Sequence, residues 1–368
     1  MYNFSIGGTA ACPLTAVNGL PGKAKLPMPA DLPSAPSAST EEKLRFLASP
    51  AAHGGVRPDL IETHMSWLFV AGDRVLKMKK PVRTPFLDFS TLAERESNCR
   101  EEVRLNRRLA PDVYVGVVPL AATGDGRMAL GATAGAQPVE WLVEMHRLPA
   151  DRMLDAAIRS STAGPADIER LGERLAGFFR AARRVELSAA AYLQRFDALQ
   201  AANREVLLRP AFDSLAAGPV LAGADALRSR HAAALGERAA GGHLREGHGD
   251  LRPEHIALDG IPVVIDCLEF NAALREVDPF DELAFLGLEC RMLGAAWIEG
   301  RLVAHLARAL GDAPPPAVQA LYAAHRALLR ARLSAAHLLD ADPRTPGRWL
   351  PQAARYLAEA RAALGCAA

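Results

Sequence analysis

Nowhere in this chain does an apolar run approach the ~18 residues that a membrane-spanning helix needs, so a helical membrane anchor is not expected. An excess of either charge is also missing. Lys plus Arg number 43 against 42 Asp plus Glu, so no global field recruits nucleic acid or an anionic membrane. The five cysteines (Cys12, Cys99, Cys267, Cys290 and Cys366) are odd in number, scattered and without a CxxC pair. That disfavours a disulfide framework and a zinc knuckle, and it fits reduced thiols in a cytoplasmic protein. The N-terminus has no basic segment followed by a compact apolar block, so no secretory signal is expected. Neither GxGxxG nor GxxxxGK[ST] occurs, and no internal repeat is apparent.

What is present reads as two unlike halves after a tail. A chain of 368 residues suggests about two domains or lobes. Residues 1–39 are rich in Pro, Gly, Ala and Ser without helical or strand periodicity, and are read as a disordered extension. Residues 40–147 alternate between strand and helix patterns. Met65, Trp67 and Phe69 mark one strand and Val75 to Lys79 the next, with "AGD" turning between them. Thr91 and Glu94 make a capping box for a helix that Pro111 ends. "YVGVVPLAA", "RMALGA" and "VEWLVEMHRLP" return to strand character, giving a sheet of roughly five strands with one long helix. Residues 148–368 are mainly helical and rich in Ala, Leu and Arg, and the Arg pairs of "RAARR" and "RARL" are read as solvated faces.

The helical half is interrupted once, by "GHGDLRPEHIALDGIPVVIDCLEF", residues 247–270. Asp259 and Gly260 provide a strong turn for a hairpin, which is expected to pack against the sheet-bearing lobe beside a cleft. Asp250 precedes the hairpin and Asp266 ends its second strand, so the chain's return can bring two carboxylates to one rim. One could orient a hydroxyl or take its proton while the other holds Mg²⁺ on nucleotide phosphates; phosphoryl transfer needs both. Arg252 is close enough in the loop to meet a transferring phosphoryl group. The same residues leave a metal-dependent hydrolase open, with His248, Asp250, His255 and Asp266 as ligands.

"HGDLRPEH" resembles the catalytic loop of protein-kinase-like proteins, H-R-D-L-K-P-E-N in Ser/Thr kinases and H-G-D-L-x-x-x-N in the aminoglycoside phosphotransferase group. "VVIDCLEF" and "EVDPFDELAFL" resemble that group's I-D-W/F-E and D-P-x-x-D-L-A segments. "ETHMSWLFVAGDRVLKMKKPV", "FLDFSTL" and "LNRRLAPDVYVGVVPL" resemble a bacterial set of these proteins often fused to a C-terminal P-loop kinase domain. The resemblance runs from about residue 60 to the C-terminus. It implies an α+β, two-lobed protein-kinase-like fold, with a small antiparallel-sheet N-lobe carrying one long helix and a mainly helical C-lobe. It implies Asp250 as the catalytic Asp, Asp266 as the metal-binding Asp, Arg252 in the place of a phosphate-contacting Lys, and Asp281 as an acid bracing the catalytic loop. A Lys on the third strand should meet the α- and β-phosphates and a helix Glu should hold it. Lys77 and Lys79 share a strand face, with Lys77 preferred, and Glu102 is the partner. Backbone groups of Glu144, Met145 and His146 fall at the hinge, where adenine would be met.

Two features depart from the pattern. His255 stands where the group has the Asn of a second Mg²⁺, and imidazole suits Mn²⁺ better than hard Mg²⁺. The loop over the phosphates would be "ETHMSW", with His64 and Ser66 near its tip. The expected function is therefore ATP- and Mg²⁺-dependent (or Mn²⁺-dependent) transfer of phosphate to a hydroxyl of a small molecule. A nucleotide-binding pseudokinase is the alternative, and neither nucleic acid nor membrane is an expected partner.

Overall fold

Ser39 opens the first element by a reciprocal box, its side chain accepting from Glu42 N–H while the Glu42 carboxylate takes the Ser39 N–H at 2.8 Å. The helix it caps, α1 (Thr40–Leu47), starts the part of the chain that the computed structural model describes: residues 38–366, apart from 85, 86, 124, 125, 133, 135, 341, 342 and 344. The stretch read as a disordered tail lies outside the described residues, except for 38 and 39. The described residues divide into two units, one of 38–107 with 111–147 and one of 108–110 with 148 onward.

The first unit is built on a six-stranded antiparallel sheet. Its strands are β1 (Asp59–Glu62), β2 (Ser66–Ala71), β3 (Arg74–Lys79), β6 (Tyr114–Ala122), β7 (Met128–Leu130) and β8 (Gln137–His146). They run in the order β1-β2-β3-β8-β6-β7, and a separate short ladder joins β4 (Arg83–Thr84) to β5 (Leu87–Asp88). β1 is the strand the sequence reading lacked. It is an edge strand, mostly exposed, and so carries no apolar alternation. Helix α2 (Leu92–Asn106) begins where Thr91 accepts from Glu94 N–H, and it packs on β8 and β6. Phe69, Leu76, Met78, Leu120 and Leu142 fill the sheet's core with Leu47 of α1, each burial contributing roughly 1.5–3 kcal/mol. A buried carboxylate fastens α1: Glu140 of β8 takes Lys43 at 3.0 Å and Arg95 of α2 at 2.7 and 2.9 Å.

The second unit is mainly helical. It contains α3 (Leu154–Arg159), α4 (Pro165–Ala181), α5 (Ala189–Leu207), α6 (Gly218–Arg230) and α7 (Ala232–Ala240) before the interruption. After it come α8 (Pro279–Met292), α9 (Trp297–Leu310), α10 (Pro316–Ala336) and α11 (Pro346–Gly365). Two small ladders lie between them: β9 (Arg245–Glu246) with β12 (Glu276–Val277), and β10 (Ile256–Ala257) with β11 (Val263–Val264). The β10–β11 hairpin is the one foreseen, but its buried side chains, Ile256, Leu258 and Val264, belong to the helical unit's core beside Leu154 and Ile168. Arg330 and Arg332, read as solvated, are buried on α10. None of the described helices is long and apolar enough to cross a membrane.

Candidate active site

Strand geometry places residues two apart on one face, and here that puts two lysines on one carboxylate. Lys77 Nζ lies 2.8 Å from Glu102 Oε1, and Lys79 Nζ lies 2.6 Å from Oε2. The two cations differ in access. The Lys79 side chain is 1 % exposed and the Lys77 side chain 15 %, so Lys77 is the one a ligand can reach. Lys79 also stands 4.9 Å from the centre of the Phe89 ring. The three residues expected at the hinge lie in strand β8 of the sheet. Glu144 pairs with Leu76 on one side and Gly116 on the other, Met145 with Val75 and Tyr114, and His146 N–H donates to Val113 O. Their side chains are also engaged, Glu144 with Arg74 at 2.6 Å and His146 with Asp73 at 3.1 Å. At the tip of the β1–β2 hairpin, Thr63 closes the turn on Ser66; Ser66 is buried and His64 exposed.

The second constellation lies within the helical unit and is held by a residue the sequence reading passed over. Glu282, near the start of α8, accepts His248 N–H at 2.8 and 3.0 Å and also the N–H of Gly249. Burial pushes its carboxyl up to about 6, against the pull of those two donors. Asp281, expected to brace the loop, points elsewhere and holds Arg326 at 2.8 and 2.7 Å. Laid over residues 278–284, the D-P-x-x-D-L-A pattern puts Glu282 and not Asp281 at its second acid, so the signal for the clasp is present in the sequence. The loop leaves no room for a side chain at Gly247 or Gly249. A Cβ at Gly247 would sit 2.7 Å from Glu282 Oε2, and Gly249 has φ +86° with Leu274 O 3.1 Å from its would-be Cβ.

His248 links the loop to the hairpin's second strand. Its Nδ1 accepts Asp250 N–H at 3.3 Å, and its Nε2 donates to Ile265 O at 2.9 Å. Both nitrogens are thereby used by a neutral ring, in keeping with a pKa brought down to about 4 by burial and then by His255. Past Ile265, Cys267 donates its thiol to His248 O at 3.2 Å, and Leu268 N–H bonds the same carbonyl. Arg108 completes the tie, donating to the carbonyls of Glu246 and Gly247 at 2.8 Å each.

The loop and hairpin bring Asp250, Arg252, His255 and Asp266 together. Burial tends to raise the Asp250 pKa, but the Arg252 guanidinium 2.9 Å away and then His255 outweigh it, leaving the carboxyl below its usual range. Arg252 is not free to reach for a phosphate. Its side chain is 1 % exposed and also bonds Glu254 at 2.6 Å and His255 Nε2 at 3.2 Å. His255 in turn donates from Nδ1 to Asp250 O at 2.9 Å, and its Nε2 is 3.6 Å from Asp266 Oδ2. Because that Nε2 accepts from Arg252, ligating a metal would require His255 to give up the bond. Asp266 is different. Its side chain is 38 % exposed and its backbone is left-handed, φ +63°, which costs an L-residue about 1–2 kcal/mol. Such an outlier persists only where its surroundings fix it, and it gathers at functional sites.

Among the described residues no three His, Cys, Asp or Glu side chains form a metal cage. Mg²⁺ does not need one, since it is usually held by one or two carboxylates with phosphate oxygens and water. The Asp266 carboxylate fits that pattern. A four-ligand hydrolytic centre does not fit, because both ring nitrogens of His248 are taken.

No protein-family model matches the chain. Uncharacterized proteins of Mycobacterium tuberculosis and Mycobacterium bovis are 30 % identical over 295 residues, 77 % of this chain and 56 % of each relative. The aligned chain thus spans about half the length of those relatives. Among solved structures it is similar to a choline/ethanolamine kinase family protein from Mesorhizobium loti, at 17 % identity and TM-score 0.49 over 89 % of this chain and 98 % of that one. It is also similar to an ethanolamine kinase of Plasmodium vivax, at 11 % identity and TM-score 0.47 over 88 % and 86 %. A thermostable mutant of the aminoglycoside phosphotransferase APH(4)-Ia, in ternary complex with AMP-PNP and hygromycin B, gives 13 % identity and TM-score 0.49 over 90 % and 99 %.

Proposed function

We propose, from the premise that this chain has a protein-kinase-like fold of the aminoglycoside phosphotransferase type, that it transfers the γ-phosphate of ATP to a hydroxyl of a small molecule. The observation that carries the reading is the pair of acids at the loop and hairpin. Asp250 is held ionised by Arg252, and Asp266 is kept accessible in a strained backbone, with the His255 ring 3.8 Å from the first acid and 3.6 Å from the second. Lys77 with Glu102 supports it independently, being the cation and holder that phosphate binding requires.

The roles follow from the chemistry of each group. Asp250 orients the acceptor hydroxyl and takes its proton as that oxygen bonds to the γ-phosphorus and the bond to the β-phosphate oxygen breaks, releasing ADP. Arg252 positions Asp250 and keeps it charged. Lys77 offers an ammonium to phosphate oxygens. Asp266 would hold Mg²⁺ or Mn²⁺, which when bound neutralises phosphate charge. His255 braces the loop between Asp250 and Arg252, in place of the second-metal role that its position first suggested. Backbone groups of Glu144, Met145 and His146 would meet adenine.

The test is calorimetry of ATP binding with and without Mg²⁺ or Mn²⁺, followed by a γ-phosphate transfer screen over small hydroxyl compounds. Asp250→Asn should keep ATP affinity and cut transfer by about 10²–10⁴, the usual worth of a positioned base. If that variant loses metal-dependent ATP binding together with turnover, the assignment of Asp250 as base rather than ligand is wrong. ATP binding without transfer to any acceptor would favour a pseudokinase.

A further inference from the structure

A cavity of about 290 Å³ opens within the helical unit, and two of its lining residues, Glu254 and Arg330, are linked to the surroundings of Asp250. Glu254 lines it, and Glu254 is bonded at 2.6 Å to Arg252, whose other nitrogen lies 2.9 Å from Asp250. Arg330 lines it as well, fixed at 2.7 Å by Glu289 and close enough to Asp250 to lower that carboxyl's pKa. Helix α11 contributes Arg348, Gln352 and Arg355 to the lining. Their spacing of four and then three residues puts all three on one helical face, with the Cα atoms of the two arginines about 10 Å apart along the axis.

The charges in this cavity are unevenly matched. Arg330 has Glu289, and Arg159 has Asp155. Arg348 and Arg355, both exposed, have no carboxylate partner among the described residues. Arg348 donates to Gln352 Oε1 at 3.2 Å and Arg355 to the carbonyl of Met292 at 2.8 Å. Two planar guanidinium groups with a side-chain amide between them suit a carboxylate or phosphate, and they repel a polycation. The volume is near the lower end of ligand pockets, which limits the occupant to something about the size of a monosaccharide.

We infer that this cavity is the acceptor subsite and that it takes a small hydroxylated anion, such as a sugar acid or a sugar phosphate. The inference rests on the phosphotransferase reading above. The anionic group engages Arg348 and Arg355, and a hydroxyl is directed along the Glu254 wall toward Asp250.

A matched hexose series separates charge from shape: gluconate and glucose 6-phosphate against neutral glucose and cationic glucosamine. Calorimetry on the full chain with ATP absent should show the anions bound at least ~10-fold tighter than glucose or glucosamine, the value of one charge-assisted contact. Arg348→Gln with Arg355→Gln should remove that preference while ATP affinity stays unchanged, and the two Lys replacements should restore part of it. Both side chains are exposed, so the variants should fold. The inference is overturned if none of the four compounds binds, if glucose or glucosamine binds as tightly as the anions, or if the double variant keeps the anion preference. The parent reading has its own readout in γ-phosphate transfer. Charge-selective binding without any transfer would leave the anion subsite standing and sink the phosphotransferase. Transfer to a neutral or cationic acceptor would do the reverse.

Discussion

Replacing Lys77 or Lys79 by Met separates two jobs that the sequence left undivided. Both ammonium groups bond the same buried Glu102, but only Lys77 retains exposure. Lys79→Met removes a charge-assisted bond worth about 1.5–3 kcal/mol and a contact with the Phe89 ring worth roughly 0.5–1 kcal/mol. Glu102 would still have Lys77, so the loss stays below the 3–5 kcal/mol of a buried charge left wholly unpaired. The expected cost in urea unfolding is about 2–3 kcal/mol. Lys77→Met keeps the deeper pair and should cost about 1 kcal/mol, because its bond is partly solvated. In calorimetry with ATP and Mg²⁺ the order reverses. Lys77→Met loses a contact to phosphate of about 2 kcal/mol, roughly a 30-fold weaker affinity, whereas Lys79→Met at a fully folded temperature shifts it by less than about 3-fold. Lys79→Met abolishing ATP binding with stability intact would refute the assignment. Unchanged affinity in both variants would refute the phosphate role of the strand.

Asp266→Gly should relieve the left-handed backbone and raise stability by about 1 kcal/mol, while abolishing the metal-dependent part of ATP affinity; a stability loss together with retained affinity would contradict both halves. His255→Asn should leave the ratio of ATP affinities in Mg²⁺ and Mn²⁺ within about 2-fold and lower stability by about 1–2 kcal/mol, and a shift toward Mg²⁺ would reinstate His255 as a ligand. His325 on α10 is fully buried against Phe196, with no hydrogen-bond partner for either ring nitrogen among the described residues. Burial brings its pKa down to about 3, so the unfolded chain takes up a proton that the folded one refuses as pH falls from about 6.5 toward 3. The stability tied to this group is complete above the unfolded pKa and is lost through that window, by roughly 4 kcal/mol at its acid end. His325→Met should flatten the acid limb and gain about 1 kcal/mol at neutral pH, and an acid limb as steep as before would show that other groups cause it.

The parts of this molecule that could be read in advance are those where local chemistry is repeated or short-range. Thr91 capping α2, the Asp259–Gly260 turn and the alternation through Lys77 and Lys79 depend on neighbours within four residues. The pairing of the loop acid Asp250 with Asp266 reaches further along the chain, but the hairpin between them turns the backbone on itself. What escaped depends on direction or on distant partners. Glu282 occupies the second acid of the D-P-x-x-D-L-A pattern, yet the amides it holds, those of His248 and Gly249, lie far earlier in the chain. His255 had the position of a ligand, yet its two nitrogens are spent on Asp250 and Arg252. The apolar runs 225–240 and 281–310 keep helical spacing throughout, yet each contains a break, between α6 and α7 and between α8 and α9. α11 was not assigned, its pattern being broken by Pro351 inside the helix. The burial of Arg330 follows from Glu289 and Tyr356, both far away in sequence.

The Glu282 clasp gives the loop an unusual place in the order of opening. Catalytic loops are commonly drawn from the least protected parts of a fold, where amide hydrogens exchange through small fluctuations. Here the amides of His248 and Gly249 end on a buried carboxylate of α8, and that of Leu268 ends on the His248 carbonyl. Freeing any of them means parting the loop from α8 or from the segment after β11 that carries Asp266. Their deuterium uptake should therefore follow the slow, cooperative release of the helical unit's core, in step with one another.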